Sequence, residues 1–291
     1  MKNKNLRALA VILVAVVIAF AVAWAGGQSG AVARGWPLLV FCAALSFAIQ
    51  WMAFIPAYAL KTERFYDLTG SLTYLALLAS AARFGPPRSV ADTLLLVMCG
   101  LWALRLGSFL FLRIHKDGAD KRFTQIKTHF WRFAVSWTLQ GLWVFFTLCP
   151  VLIVVASPTW HHTTAWTVAG AGLWALGFGI EIIADWQKRQ FRGDPQNAGR
   201  FIQSGLWAKS RHPNYVGEML LWLGVFIMCV PMLHGWQWVG IVSPLFITLL
   251  LTKVSGVPLL EASANARWGK EADYIAYKAK TPVLWPWEKV N

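Results

Sequence analysis

Eight apolar stretches, separated by short polar segments, dominate the amino-acid sequence. A transmembrane helix needs roughly 20 consecutive apolar residues, and most of the stretches have about that length. Their bounds are Leu6–Ala25, Trp36–Ala59, Gly70–Ala82, Val90–Leu112, Phe130–Ala156, Thr164–Ile183, Val216–Met232 and Trp236–Leu251. The pattern predicts an all-α fold, a polytopic membrane bundle of seven or eight transmembrane helices.

Two of the stretches leave the helix count open. Gly70–Ala82 can span a bilayer only if it extends back through Phe65–Thr69, which carries Asp67. Leu6–Ala25 could be a secretory signal peptide, but its apolar part is long and Ala23-Trp24-Ala25 is a weak cleavage site. We therefore expect an uncleaved first helix, and a seven-helix count would remove either this stretch or the third one.

The composition excludes most soluble classes of protein. Asp, Glu, Lys and Arg make up 14% of the 291 residues, whereas an ordinary soluble domain carries about 25%. Too few charges are present to cover a globule of this size, which excludes a soluble enzyme, a nucleic-acid-binding domain and a disordered protein. The 18 Trp and 18 Phe suit a bilayer with aromatic residues at its interfaces.

The net charge of +14 is distributed as a signal of membrane topology. With the N-terminus in the cytoplasm, 21 Lys and Arg fall on the cytoplasmic side and 3 on the opposite side. Because basic residues concentrate in cytoplasmic loops, we expect an even number of helices with both termini cytoplasmic. The short loops and compact length favour a bacterial inner membrane over the endoplasmic reticulum.

Several features of the sequence give no sign of chemistry. The cysteines Cys42, Cys99, Cys149 and Cys229 lie in apolar stretches without metal-ligand spacing, so we expect buried thiols and no metal site. His161-His162 has no acidic companion and is expected to be interfacial. No internal repeat or low-complexity linker occurs, which predicts a single membrane domain over residues 1–291.

Charged residues gather near the predicted cytoplasmic ends of two helices. Arg105 and Arg113 are eight residues apart, close to two helical turns, and therefore share a face. Glu181, Asp185 and Arg189 also share a face, although Asp185 and Arg189 could simply pair with each other. Charges inside membrane helices are costly and usually functional. Arginine suits phosphate and carboxylates suit ribose hydroxyls, so the pattern predicts a site for a ligand that carries both groups.

Two further polar segments lie in the carboxy-terminal half. Residues 210–218 run into the seventh apolar stretch, and Pro213 suits the first turn of a helix, whose N-terminus attracts anions. In the tail, Glu261 and Asn265 are spaced i, i+4. The tail could be an amphipathic helix on the membrane surface or a wall of a cofactor pocket.

The amino-terminal half contains fewer polar residues. Gln50 lies in the middle of the second stretch, and its role could be no more than a hydrogen bond that joins two helices. Asp67 could serve as a helix N-cap before the third stretch.

The segment Ser210-Arg211-His212-Pro213-Asn214-Tyr215-Val216-Gly217-Glu218 resembles the signature of the steroid 5-alpha-reductase-like family. That superfamily includes sterol reductases and, more distantly, isoprenylcysteine carboxyl methyltransferases. The resemblance covers about residue 100 to residue 287. It also rests on Glu181, Asp185, Arg189, Arg192, the run Trp102-Ala103-Leu104-Arg105, and the tail residues Leu260, Glu261, Tyr274, Tyr277 and Pro282. Residues 66–73 are similar to a poorly characterised branch of the family.

The resemblance implies an NADPH-dependent reductase of a conjugated carbon–carbon double bond in a lipophilic, steroid-like or isoprenoid-like substrate. Hydride would pass to the β-carbon while a hydrogen-bond donor stabilises the enolate oxygen, and a proton would return to the α-carbon. The implied cofactor-binding residues are Arg105, Arg113, Glu181, Asp185, Arg189, Arg192, Arg200, Arg211, His212, Asn214, Tyr215, Glu218, Glu261 and Tyr274. The catalytic candidates are Gln50, Tyr66, Asp67 and Tyr215.

The sequence departs from the family pattern at the proton-delivering residues. Trp51 follows Gln50 where the steroid reductases have an acidic residue, and Trp102 stands at the position of their tyrosine. Two alternatives therefore stay open: an S-adenosylmethionine-dependent methyltransferase, and a non-catalytic sterol-binding or lipid-binding membrane protein. The many cytoplasmic arginines favour NADPH, because S-adenosylmethionine carries no phosphate. The expected partners are a lipophilic substrate and membrane lipid, with no nucleic acid.

Overall fold

The computed structural model describes residues 2–117 and 123–287, apart from the side chains of Lys2, Arg113 and residues 115–117. Most of this part of the chain is helical. The α-helices are α1 (Lys2–Gly26), α2 (Leu38–Ala59), α3 (Tyr66–Phe84), α4 (Val90–Asp117), α5 (Phe130–Ala156), α6 (Ala165–Gly193), α7 (Pro213–Cys229), α8 (Val242–Leu249), α9 (Val257–Trp268) and α10 (Ala272–Lys280). Two short antiparallel strands, β1 (Val32–Ala33) and β2 (Trp36–Pro37), precede α2.

Seven helical segments in the described part of the chain are long and apolar enough to cross a membrane. They are Asn3–Gly26, Leu38–Ala59, Val90–Leu112, Phe130–Ala156, Ala165–Gly193, Pro213–Met232 and Gly235–Trp268. The prediction of a polytopic α-helical membrane protein is therefore confirmed, and the chain is an integral membrane protein. The third apolar stretch forms α3, a helix of 19 residues that is not among the seven. The cytoplasmic location of the termini stays a prediction.

The chain divides into two compact units. The first unit contains Met1–Thr164 and Cys229–Ser243, and the second contains Ala165–Met228 and Pro244–Asn291. The second unit therefore holds α6, α7, α9 and α10. The prediction of one membrane domain is not decided by this division.

Helix α5 forms the centre of the first unit and packs against α1, α2 and α3. In the apolar part of α5, 83% of the residues are buried inside the protein, whereas in the apolar part of α1 only 17% are. Aromatic side chains fill the interior around it, including the fully buried Trp102, Trp137 and Phe133. The four cysteines are also buried, as predicted.

Two largely buried ion pairs connect loops of the first unit. The Nζ atom of Lys127 lies 2.6 Å from Oε2 of Glu63, in the loop between α2 and α3. The Nδ1 atom of His161 lies 2.8 Å from Oδ1 of Asp92, whose other oxygen accepts hydrogen bonds from the backbone N–H and hydroxyl of Ser89. The expectation that His161 lacks an acidic companion is therefore wrong, because its partner lies 69 residues away in the sequence.

In the second unit, α6 and α7 run antiparallel and contact each other through glycines. A Cβ atom on Gly217 would lie 2.6 Å from the carbonyl oxygen of Gly177 and 2.7 Å from the backbone nitrogen of Glu181. Gly170 and Gly224 make the same kind of contact two turns away. A Cβ atom on Gly170 would lie 2.5 Å from the carbonyl oxygen of Gly224, and a Cβ atom on Gly224 would lie 2.6 Å from that of Gly170. Because the backbones touch, the buried Glu181 is held against the beginning of α7.

Candidate functional site

The entrance of α7 is built as the sequence predicts. The helix begins at Pro213, and the hydroxyl of Ser210 accepts a hydrogen bond of 3.2 Å from the backbone N–H of His212. The backbone N–H of Arg211 donates to the carbonyl oxygen of Pro282 at 3.0 Å. The segment before α7 is therefore tied to the end of the chain, which brings the tail to the same site.

The carboxylate of Glu261, in α9, organises a cluster of basic side chains. Its Oε1 atom lies 2.9 Å from Nε2 of His212, and its Oε2 atom lies 3.4 Å from a terminal nitrogen of Arg211. Lys278, in α10, places Nζ 4.0 Å from the same carboxylate and donates to Oδ1 of Asn265 at 2.9 Å. Glu261 and Asn265 thus share one face of α9, as their spacing predicts. We call Arg211, His212, Glu261 and Lys278 the Glu261 cluster.

Two polar atoms of the Glu261 cluster are buried without a hydrogen-bond partner among the described residues, namely Nδ1 of His212 and Nε of Arg211. Burial lowers the pKa of His212, with smaller decreases from Lys188 and Arg211, and the hydrogen bond to Glu261 opposes this shift. A neutral His212 that donates from Nε2 to Glu261 leaves Nδ1 as an acceptor. The cluster therefore presents one open acceptor and one open donor to a ligand.

Aromatic residues pack beside the cluster. The ring of Phe201 contacts the rings of Trp268, Tyr274 and Tyr277, with centroid distances of 5.8, 5.1 and 5.4 Å. The hydroxyl of Tyr277 donates to the carbonyl oxygen of Trp207 at 2.7 Å. Burial raises the pKa of both Tyr274 and Tyr277, so both phenols stay protonated at neutral pH. Tyr215 stacks on His212 with a centroid distance of 5.6 Å.

The remaining predicted cofactor residues of the second unit lie on α6, on α7 and in the loop between them. Glu181 is buried, while Asp185, Asn214 and Glu218 are half-buried. The more exposed members are Arg189, Arg192 and Arg200. A cavity of about 360 Å³ at the end of α6 is lined by Trp186, Gln187, Gln190, Phe191, Asp194, Asn197, Ser204 and Gly205.

The other predicted residues belong to the first unit. Tyr66 donates its hydroxyl to the carbonyl oxygen of Ser136 at 2.9 Å, and Arg105 lies with Cζ 5.5 Å from the centroid of the Phe109 ring. Asp67 is in the first turn of α3, whose N-cap is Phe65. The prediction of Asp67 as the N-cap is therefore wrong, since the N-cap lies two residues earlier, at Phe65.

Gln50 is fully buried and donates from Nε2 to the hydroxyl of Thr73 at 2.9 Å. The predicted helix-joining hydrogen bond of this glutamine is confirmed. The side chain of Arg113, which was predicted to share a face with Arg105, lies outside the described residues.

Sequence reasoning missed Gln140, whose Nε2 donates to the carbonyl oxygen of Tyr66 at 3.2 Å. Its position inside the fifth apolar stretch was a usable signal, because a polar side chain among apolar residues needs a partner. The partnership of Phe201 with the tail aromatics had no comparable signal in the sequence.

The membrane-spanning helices and the Glu261 cluster define an integral membrane protein with a basic, partly buried site at the entrance of α7. The chain belongs to the family described as Protein of unknown function (DUF1295), whose model matches residues 53–281. No curated protein and no solved structure matches the chain.

Proposed function

We propose that this protein is an NADPH-dependent membrane reductase that acts on a conjugated carbon–carbon double bond of a lipophilic substrate. The observation that carries the proposal is the Glu261 cluster, in which Arg211, His212 and Lys278 surround one carboxylate beside the N-terminus of α7. The resemblance of residues 210–218 to the steroid 5-alpha-reductase-like signature supports the same activity.

The open polar atoms of the cluster fit parts of this cofactor. The buried Nε–H of Arg211 can donate to a phosphate or carbonyl oxygen, and Nδ1 of His212 can accept from a ribose hydroxyl or an amide. Arg189, Arg192 and Arg200 add exposed positive charge within the same unit. NADPH carries a pyrophosphate and a further phosphate, and arginines are the side chains best suited to bind these groups.

When bound, NADPH would supply a hydride for the β-carbon of the substrate, and a proton would return to the α-carbon. The residues of this chain would bind and orient the cofactor and the substrate and would donate hydrogen bonds to them. Glu261 fixes the tautomer of His212 and the orientation of Arg211. A phenol is the proposed donor to the enolate oxygen. Tyr215 stacks on His212 and so lies beside the cluster, and Tyr66 donates its hydroxyl to the carbonyl oxygen of Ser136.

The test is cofactor binding to the detergent-purified chain, titrated with NADPH, NADH and S-adenosylmethionine. We expect NADPH to bind most tightly, and Arg211→Ala to weaken it at least tenfold, since a charge-assisted hydrogen bond is worth roughly 1.5–3 kcal/mol. Arg83→Ala, which removes an arginine of the first unit outside the proposed site, is the matched control and should bind as the wild type does.

Two results would redirect the assignment. Binding of S-adenosylmethionine alone would favour the methyltransferase, because an amino acid moiety also offers an acceptor for Arg211 and a donor for His212. Binding of none of the three compounds would leave a lipid-binding protein and remove the reductase.

A further inference from the structure

A band of hydrogen bonds crosses the interior of the first unit between α2, α3 and α5. Gln50 of α2 donates to the hydroxyl of Thr73 in α3, and Gln140 of α5 donates to the carbonyl oxygen of Tyr66 at the start of α3. The amide nitrogens of the two glutamines therefore join α3 to α2 and to α5.

The amide oxygens of both glutamines are left open. The Oε1 atoms of Gln50 and Gln140 are buried and accept no hydrogen bond from any described residue. Trp137, one turn before Gln140 in α5, also has a buried Nε1–H without a hydrogen-bond partner in the described part of the chain. The interior thus holds two open acceptors and one open donor.

The orientation of both amides follows from their partners. A carbonyl oxygen can only accept, so the group of Gln140 that faces Tyr66 must be the NH₂ group. The hydroxyl of Thr73 donates to the carbonyl oxygen of Thr69 at 2.7 Å, which leaves it to accept from Gln50. In both glutamines the amide nitrogen therefore makes the hydrogen bond to α3, and the amide oxygen is the atom without a partner among the described residues.

Close contacts place Gln140 of α5 against Gly70 of α3, and Gln50 of α2 against Gly141 of α5. A Cβ atom on Gly70 would lie 2.5 Å from Nε2 of Gln140, and a Cβ atom on Gly141 would lie 3.4 Å from Cγ of Gln50. Gly141 directly follows Gln140, and Thr73 lies one turn after Gly70. The absence of a side chain at Gly70 makes the space that Gln140 uses.

A hydroxyl group matches this set of open atoms. It can donate to an amide oxygen and accept from an indole N–H at the same time. A ketone or aldehyde can only accept, so it would use Trp137 and leave both amide oxygens unpaired. In a membrane interior, where water does not compete, an unpaired polar group is unfavourable, and the open atoms therefore discriminate between these ligands.

We propose that the α2–α3–α5 interior binds the hydroxyl group of a lipophilic alcohol, which donates its one hydrogen to the amide oxygen of Gln50 or of Gln140. The hydroxyl site does not rest on the proposed reductase function, whose substrate carries a carbonyl oxygen. The proposal predicts that the bound molecule has a free hydroxyl at one end and is otherwise apolar.

The test compares alcohols with their methyl ethers on the full chain in detergent. The probes are cholesterol, geranylgeraniol and 1-dodecanol, each with the ether that keeps the shape and removes the donor. We expect at least one alcohol to bind about tenfold more tightly than its ether, as the loss of one buried hydrogen bond predicts. At least one of Gln140→Met and Gln50→Met should reduce that preference to less than about threefold, and that variant identifies the acceptor.

Thr138→Val is the matched control. It removes a hydrogen bond of the same region, the one that Thr138 accepts from Trp51 at 3.0 Å, but no open acceptor, so the preference should persist. Equal binding of every alcohol and its ether, or no binding of any probe, would overturn the proposal. Both outcomes are measured on the wild-type protein and do not depend on whether a variant folds. A preference that survives both glutamine substitutions would also overturn it. NADPH titration of the same samples reports on the proposed function separately.

Discussion

The glycine contact between α6 and α7 makes the sharpest prediction about what holds the candidate site in place. In Gly217→Ala, the new methyl group would lie 2.6 Å from the carbonyl oxygen of Gly177, 2.7 Å from the backbone nitrogen of Glu181 and 3.1 Å from its Cα. These neighbours are backbone atoms and cannot rotate away. The helices must therefore separate by about 1 Å, given an ordinary contact distance of about 3.5–4 Å.

Overpacking of this kind destabilises a protein by about 1–3 kcal/mol, and a backbone neighbour places the expected value near 3 kcal/mol. The matched controls are Gly172→Ala and Gly179→Ala on the facing helix α6, because a Cβ atom at either position has no neighbour within 4 Å. Alanine is the better helix former by up to about 1 kcal/mol, so these variants should be as stable as the wild type or slightly more stable.

The assay is reversible unfolding in mixed detergent micelles, followed by tryptophan fluorescence, together with NADPH titration. Because Gly217 also abuts Glu181, Gly217→Ala should weaken the proposed cofactor binding in addition to stability. The double variant with Gly177→Ala should cost less than the sum of the single variants, since both methyl groups occupy the same gap. A Gly217→Ala protein within about 0.5 kcal/mol of the Gly172→Ala control would refute the close-contact argument.

Three further predictions concern the ionisable groups. Glu261→Gln should weaken NADPH binding at least tenfold, measured by titration, because the amide no longer holds Arg211 and His212 in the orientation that leaves their open atoms toward the ligand. His161→Ala should lower the free energy of unfolding by about 3–5 kcal/mol, because it leaves the buried Asp92 carboxylate without its partner, and a smaller loss in the double variant with Asp92→Asn would confirm the pairing. The lowered pKa of His212 means that the unfolded chain binds a proton more readily. Stability should therefore fall as the pH drops below the ordinary value of 6.5, and melting temperatures of His212→Gln should lack this step.

The helices could be predicted from the sequence because hydropathy acts locally. Every apolar stretch became helical, and α3 became a helix even though its composition is too polar for the spanning set. Helix spacing was equally informative for Glu261 and Asn265, which lie on one face of α9 and both meet Lys278.

The pairings between helices could not be predicted, because they depend on packing between distant parts of the chain. His212 and Glu261 are 49 residues apart, and Gln140 and Tyr66 are 74 residues apart. Asp92 and His161 show the difficulty most clearly, since Asp92 has the basic Arg88 four residues before it in the sequence and yet pairs with a histidine 69 residues away. A lone polar residue in an apolar stretch indicates that a partner exists but does not identify it.

The charge balance of the Glu261 cluster gives a physical reason to expect an anionic ligand. The lowered pKa of His212 makes its imidazole neutral near pH 7, so the cluster contains two cations, Arg211 and Lys278, and one carboxylate. One positive charge therefore remains beside the N-terminus of α7, which adds a partial positive charge of its own. A ligand phosphate would neutralise this excess without further desolvation of an acidic side chain. The overall cation of S-adenosylmethionine would add to it, which is why the same geometry favours NADPH.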